Sequence, residues 1–320
     1  MKHLSIELYK KMFLIRSAEL QIQEIYAQDE MKTPMHMSMG EEAIVAGVVG
    51  ALNAEDQVLG TYRSHALYLA KTGDTERFYA EMFGKVGGCA RGKAGSMHLS
   101  ALGQGLLCCS AIVASGIPVA MGAAFANKYK NNGKRVAVFF GDGAMDEGVF
   151  WETINFCGLH KLPILFICED NGFAVHTRRE KRQRFSSDHQ LFENFGIKAF
   201  EENTTDPEII YNTTRNALNH LQTTGQPCFL RFHYYRYLEH VGINEDFDAG
   251  YRDREEFLAW REKDPLRMQR QKLLGQGVSL ALIEALEHEI NAKVEAGIRF
   301  ARQSSFPAEC ETYQGVFQCA

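Results

Sequence analysis

No Cys-x-x-Cys pair occurs in this chain although it carries eight cysteines, so a structural zinc site of the usual spacing has no support. No apolar run approaches the roughly 18 residues that a spanning helix needs. Met1 to Lys11 lacks the apolar core of a secretory signal. These absences lead us to expect no membrane span and a reducing cytoplasm with free thiols. Adjacent Cys108 and Cys109 then read as small buried apolar side chains. Excess positive charge is missing as well. The formal net charge is -5, so no nucleic-acid footprint is expected. One basic cluster, Arg178, Arg179, Lys181, Arg182 and Arg184, is local and reads as a solvated loop. Internal repeats and low-complexity linkers are also absent.

What is present is an ordinary globular composition, 45% apolar and 23% charged over 320 residues. Apolar spacing near 3.6 predicts an amphipathic helix over residues 4–31, broken at Thr33-Pro34. Helical segments are expected at 41–52 and 66–83. The glycine-dense stretch 84–99 must be a loop. An Ala/Gly-rich helix starts at Gly116 and stops near Asn131-Asn132-Gly133. Its small residues suit close packing, within the chain or against another subunit. Strands are expected at 58–60, 136–140, 164–168, 195–200 and 228–237, with a helix around 207–223 and polar loops at 172–190 and 240–251. Residues 255–300 are helical in character, and the tail 307–320 is irregular. The alternation argues for an α/β fold: a doubly wound, mostly parallel sheet with helical N- and C-terminal extensions. We expect one domain over 1–320, with its core at about 35–240 and a helical extension at about 253–305.

The candidate chemistry lies between Gly141 and Asn171. One apolar strand ends in Gly141-Asp142-Gly143; the next, after a helix expected to start near Asp146, ends in Glu169-Asp170-Asn171. In a parallel sheet those ends lie side by side, where open α/β sheets bind ligands. A hard divalent cation wants oxygen ligands and keeps phosphates or waters in its shell. Asp142, Asn171 and the Phe173 carbonyl fit that need. Gly141 and Gly143 let backbone approach a phosphate, and helix N-terminal amides lie near. The plain alternative is two unrelated turns.

Gly-Asp-Gly followed after roughly thirty residues by Asn resembles the cofactor motif of thiamine-dependent enzymes. More narrowly, residues 6 to 317 resemble the alpha subunit of the first component of 2-oxo acid dehydrogenase complexes, a group that includes pyruvate, branched-chain and acetoin forms. The pieces that carry this are MHMSMGEEA (35–43), TYRSHA (61–66), GGCARGKAGSMHL (87–99), the Gly-Asp-Gly to Asn motif, and RYLEHVGINEDFDAGYR (236–252). The resemblance implies thiamine diphosphate and Mg2+ as cofactors, with Asp142, Asn171 and Phe173 on the metal. It implies Tyr62 and Arg63 at the cofactor, with Arg63 on the diphosphate, where a planar guanidinium suits two oxygens. It implies Gly141, Gly143 and Ala144 beside the diphosphate, and Ala111 and Val113 holding the aminopyrimidine through their backbone. His240, also at the cofactor, and His36 would be the catalytic histidines. A separate beta subunit would supply the activating glutamate in a heterotetramer. A lipoyl acyltransferase core, for which the basic loop is a docking candidate, would take the acyl group from a 2-oxo acid or acetoin. Asp170 departs from the family's usual Asn. Gly116 is the residue acetoin-type chains tend to have, and Val241 replaces a phosphorylatable Ser. Two other readings remain open: a two-chain thiamine-dependent synthase, and a non-catalytic cofactor-holding subunit.

Overall fold

The computed structural model describes residues 2–185 and 188–314. Helix α1 (Lys2–Ile25) leads through a buried segment into α2 (Glu42–Ala51) and strand β1 (Gln57–Thr61). Helices α3 (His65–Thr72) and α4 (Thr75–Met82), β2 (Leu106–Ser110) and α5 (Gly116–Lys130) follow. The centre is β3 (Val136–Gly141), α6 (Gly148–His160) and β4 (Ile164–Asp170). A small hairpin, β5 (Phe173–Ala174) and β6 (Thr177–Arg178), precedes α7 (Asp188–Glu193). Then come β7 (Lys198–Glu202), α8 (Pro207–Thr224) and β8 (Cys228–His233), and finally α9 (Arg254–Arg261), α10 (Pro265–Gly275) and α11 (Leu280–Gln303).

Six strands form one parallel sheet in the order β2-β1-β3-β4-β8-β7. The central strands are apolar at nearly every position because helices cover both faces. Alternate residues enter different cores. Ala137, Phe139, Leu165, Ile167, Leu230 and Phe232 pack with α1, α2, α3 and α8. Val138, Phe140, Phe166, Cys168 and Phe229 pack with α5, α6 and α7. Local signals set the helix ends. Asp206 caps α8 by accepting from the amides of Glu208 (2.8 Å) and Ile209, Pro207 opens its first turn, and Gly225 ends it at φ 71°.

Several boundaries differ from expectation. The segment 66–83 is two helices, because Gly73 turns left-handed (φ 64°) and Asp74 caps a new start. A 3-10 turn, Asp142–Asp146, delays α6 to Gly148. Leu106–Ser110, not anticipated as a strand, is an edge strand on β1. Pairing in β8 stops at His233, and 234–238 run on as a strap tied to Met39 by the Tyr237 amide (3.1 Å). The loop 172–190 holds the β5–β6 hairpin, with residues 186 and 187 outside the described set, as is 315–320 of the tail.

The glycine-dense loop is organised by one carboxylate. Glu81 of α4 accepts the amides of Ala90 (2.8 Å), Gly92 (3.0 Å), Ala94 (2.7 Å) and Gly95 (3.2 Å). Elsewhere, buried Arg16 of α1 bonds Glu42 of α2 and Asp264, which caps α10 and also accepts from Tyr237 Oη (3.0 Å). This fastens both helical extensions to the core. No helix among the described residues is long and apolar enough to cross a membrane.

Candidate active site

The connection from β1 runs to β2 on one side, whereas β3 lies on its other side, so the strand order reverses between β1 and β3. Outside the carboxyl ends of these strands, at the switch point, lies a cleft of about 300 Å³. Its wall includes Tyr62 and Arg63 beyond β1, Gly141 at the end of β3 with Gly143 and Ala144 beyond it, Asn171 and Phe173 beyond β4, and Val113 and His240.

The pleat splits the site's charges between the two faces of the sheet. On the α5–α6 side, Asp142 is fully buried. Its Oδ2 accepts from Arg182, and its Oδ1 has no hydrogen-bond partner among the described residues. Burial, with the Asp170 charge beside it, pushes its carboxyl up to about 6. Asp170 itself is held below the usual carboxylate range. Burial alone would raise it, but Arg231, Arg179 and His233 outweigh that. The departure from Asn at 170 thus answers a fully buried arginine on the neighbouring strand. Asn171 Oδ1 accepts the Phe173 amide (2.9 Å), and its Nδ2 donates to Tyr234 Oη (3.1 Å).

On the other side, Arg63 is buried and donates to the carbonyls of Met37 and His240 (3.4 Å to the latter). Glu41 and Glu169 line the cleft beside it, both buried, and neither Glu41 oxygen has a partner among the described residues. Burial pushes Glu169 up to about 8 and raises Glu41 as well. His240 lies 5.6 Å from the Tyr62 ring and 5.5 Å from His36. Burial, then the Arg63 charge, lowers His240 to about 4 and His36 to about 3. Both imidazoles are therefore neutral near pH 7.

The structure brings most of the anticipated residues to one cleft, with three qualifications. Asp142 is fully buried at the turn between Gly141 and Gly143 and does not itself line the cleft. Ala111 does not line it, although Ile112, Val113 and Ala114 do. His36 stands one ring behind the wall, against Tyr62 at 4.6 Å. The basic loop is only partly solvated. Lys181 and Arg184 are exposed, but Arg179 pairs with Asp170, Arg178 with Glu256, and Arg182 with Asp142 and Asp146. Glu41, Glu169 and Tyr234 escaped the sequence reading; a carboxylate just past an apolar strand was the available signal for Glu169.

The donor set fits a metal-diphosphate. Asp142 Oδ1 is a buried acceptor without a donor, which suits a cation. A Cβ on Gly143 would stand 2.9 Å from the Ala174 Cβ, so only glycine lets the hairpin lie this close over the turn. The family model described as dehydrogenase E1 component matches residues 10–310.

The chain belongs to the dehydrogenase E1 component family.

Members of this family use thiamine diphosphate with a divalent metal, and this E1 chain is a thiamine-dependent oxidoreductase component. It is similar to the pyruvate dehydrogenase E1 component subunit alpha of Porphyra purpurea, at 31% identity over 99% of this chain and 93% of the relative. The protein of the same description from Rickettsia bellii is 29% identical over 98% and 95%. The chloroplastic alpha-3 subunit of Arabidopsis thaliana is 30% identical, over 99% of this chain and 75% of the relative.

Proposed function

We propose that this chain is the alpha subunit of a pyruvate-type 2-oxo acid dehydrogenase first component, working with a beta chain and a lipoyl acyltransferase core. The observation that carries the reading is that Asn171 and the turn 141–143, which holds the buried Asp142, stand at adjacent strand ends, opposite Arg63 and His240 across one cleft at the switch point. The names of the curated relatives support it. We treat residues 1–320 as one domain, braced by its helical ends, in a reducing compartment such as the cytoplasm.

When bound, thiamine diphosphate supplies the carbon nucleophile and electron sink for cleaving the bond to a substrate carbonyl carbon. The chain's own residues hold and orient. Asp142, the Asn171 side-chain oxygen and the Phe173 carbonyl would hold Mg2+. Amides of the turn 143–144 and the Arg63 guanidinium would receive the diphosphate, with Tyr62 beside it. Backbone at 111–113 steadies the aminopyrimidine ring. Arg63 must trade two carbonyl acceptors for anionic oxygens, an exchange that favours charge-assisted bonds. His240, kept neutral, accepts or returns a proton at its free ring nitrogen at neutral pH. His36 sets the position of Tyr62 and His240 from behind.

The test is co-expression with its beta partner and reduction of an artificial electron acceptor by pyruvate, branched-chain 2-oxo acids or acetoin. Pyruvate-dependent turnover that Asp142→Ala abolishes, together with loss of retained thiamine diphosphate, is the expected result. Turnover with acetoin alone overturns the substrate assignment, and unchanged cofactor retention in Asp142→Ala overturns the metal assignment.

A further inference from the structure

We propose that Arg182 is an internal counter-ion competing with the divalent cation for Asp142, so that the segment 177–184 latches the cofactor site. The inference rests on the cofactor reading above. Arg182 is well covered, with its side chain 13% exposed. Its Nη2 donates to Asp142 Oδ2, its Nη1 to Asp146, and its Nε to the Thr177 carbonyl at 3.1 Å. Gln183 completes the clamp through Nε2, donating to the Asp142 carbonyl (2.9 Å) and to Asp146 Oδ1 (2.9 Å). Two consecutive side chains thus close over the turn that carries the metal's carboxylate.

A guanidinium and a magnesium ion are both cations, and each needs the Asp142 oxygens at close range. Held as here, Arg182 neutralises a buried carboxylate that lies beside Asp170. A cation held at the partnerless Oδ1 would bring a second positive charge to a carboxylate that Arg182 already neutralises through Oδ2, so Arg182 would give way there while staying tethered to Asp146 at the cleft wall. The same excursion of chain carries Phe173, whose carbonyl is a proposed metal ligand. Between them Val175 sits at φ 54°, a strained backbone for a β-branched residue. The ligand and its competitor therefore move on one short segment. By reciprocity, the factor by which the closed latch weakens metal binding is the factor by which bound metal weakens the latch, so loosening the latch tightens metal loading up to that limit.

The measurement is Mn2+ binding in the presence of thiamine diphosphate, followed by electron paramagnetic resonance on the full chain with its beta partner. Arg182→Met is expected to tighten Mn2+ by about tenfold, within the range of ordinary coupling between sites. Its thermal midpoint without metal falls below wild type, and the gap closes at saturating Mn2+. Arg182→Lys keeps the charge and lies near wild type. Asp146→Asn loosens the same clamp from the other side and gives a smaller tightening, which keeps the test usable if Arg182→Met fails to fold. Equal Mn2+ affinity in wild type and variants overturns the proposal. Weaker affinity in Arg182→Met also overturns it, making Arg182 a diphosphate ligand instead. Absence of Mn2+–thiamine diphosphate binding in every protein, wild type included, defeats the cofactor reading itself.

Discussion

Residues at the cleft carry opposed electrostatic costs. His36, lowered from 6.5 to about 3 by burial and by Arg63, stays neutral in the folded chain while the unfolded chain takes up a proton below 6.5. Folding stability from this group is therefore complete above pH 6.5 and declines as pH falls towards 3. The loss is roughly 2 kcal/mol between pH 7 and pH 5, at about 1.4 kcal/mol per unit. Glu169 and Glu41, both raised, act in the reverse sense, losing stability as pH rises through their folded values. The imidazole effect must therefore be read by difference. Denaturant unfolding of wild type and His36→Asn at pH 7 and pH 5 should show the wild type losing roughly 2 kcal/mol relative to the variant. A gap that stays constant with pH refutes the buried neutral imidazole. None of this was legible in the motif MHMSMGEEA. The residue types were visible there, but their burial beside Arg63 comes from the strap 234–242 folding back, where His36 bridges Gly242.

Elements meet at places where side chains are missing. Helix α6 carries Gly158 against the segment before β7, and a Cβ there would fall 1.9 Å from the Phe195 carbonyl oxygen. Backbone is the obstacle, so no rotamer change relieves it. Gly158→Ala is expected to destabilise the chain by about 3 kcal/mol. Chemical denaturation gives the number, and a change under about 0.5 kcal/mol, as for an ordinary surface site, refutes the contact. Long apolar strands and well-capped helices were readable because their signals are local: Val136–Phe140, Ile164–Cys168, Asp206-Pro207 and Gly225. Strand β2 was not. Leu106–Ser110 is short and follows Gly103 and Gly105, and only pairing with β1 makes it a strand. Arg182 was read as solvated for the same reason. A basic run gives no sign of a buried carboxylate forty residues upstream.

For the whole molecule, the alternation of strands and helices foretold the doubly wound plan, and the two strand-end motifs fall at the cleft. What the pattern left open was how the ends of the chain attach. Arg16, Glu42, Asp264 and Tyr237 answer that, joining α1, α2, the strap after β8 and the start of α10. Removing Asp264 leaves buried Arg16 with Glu42 as its one carboxylate and takes away the acceptor of Tyr237 Oη and the cap of α10. Asp264→Ala should cost about 3–5 kcal/mol of stability while leaving cofactor affinity of the folded protein unchanged. Calorimetric unfolding and cofactor titration check the two halves, and a matching loss of cofactor affinity would show the network to reach the cleft.

Glu81 has a consequence of another kind. Four amides between Ala90 and Gly95 are spent on its two oxygens rather than on a sheet or helix. Such a loop has no ladder to unzip. Its order is built from side chains that reach in from distant parts of the chain, Glu81 on α4, Thr33 through the Ser96 amide and Glu311 through Arg91, so the segment sets only once those parts have come together.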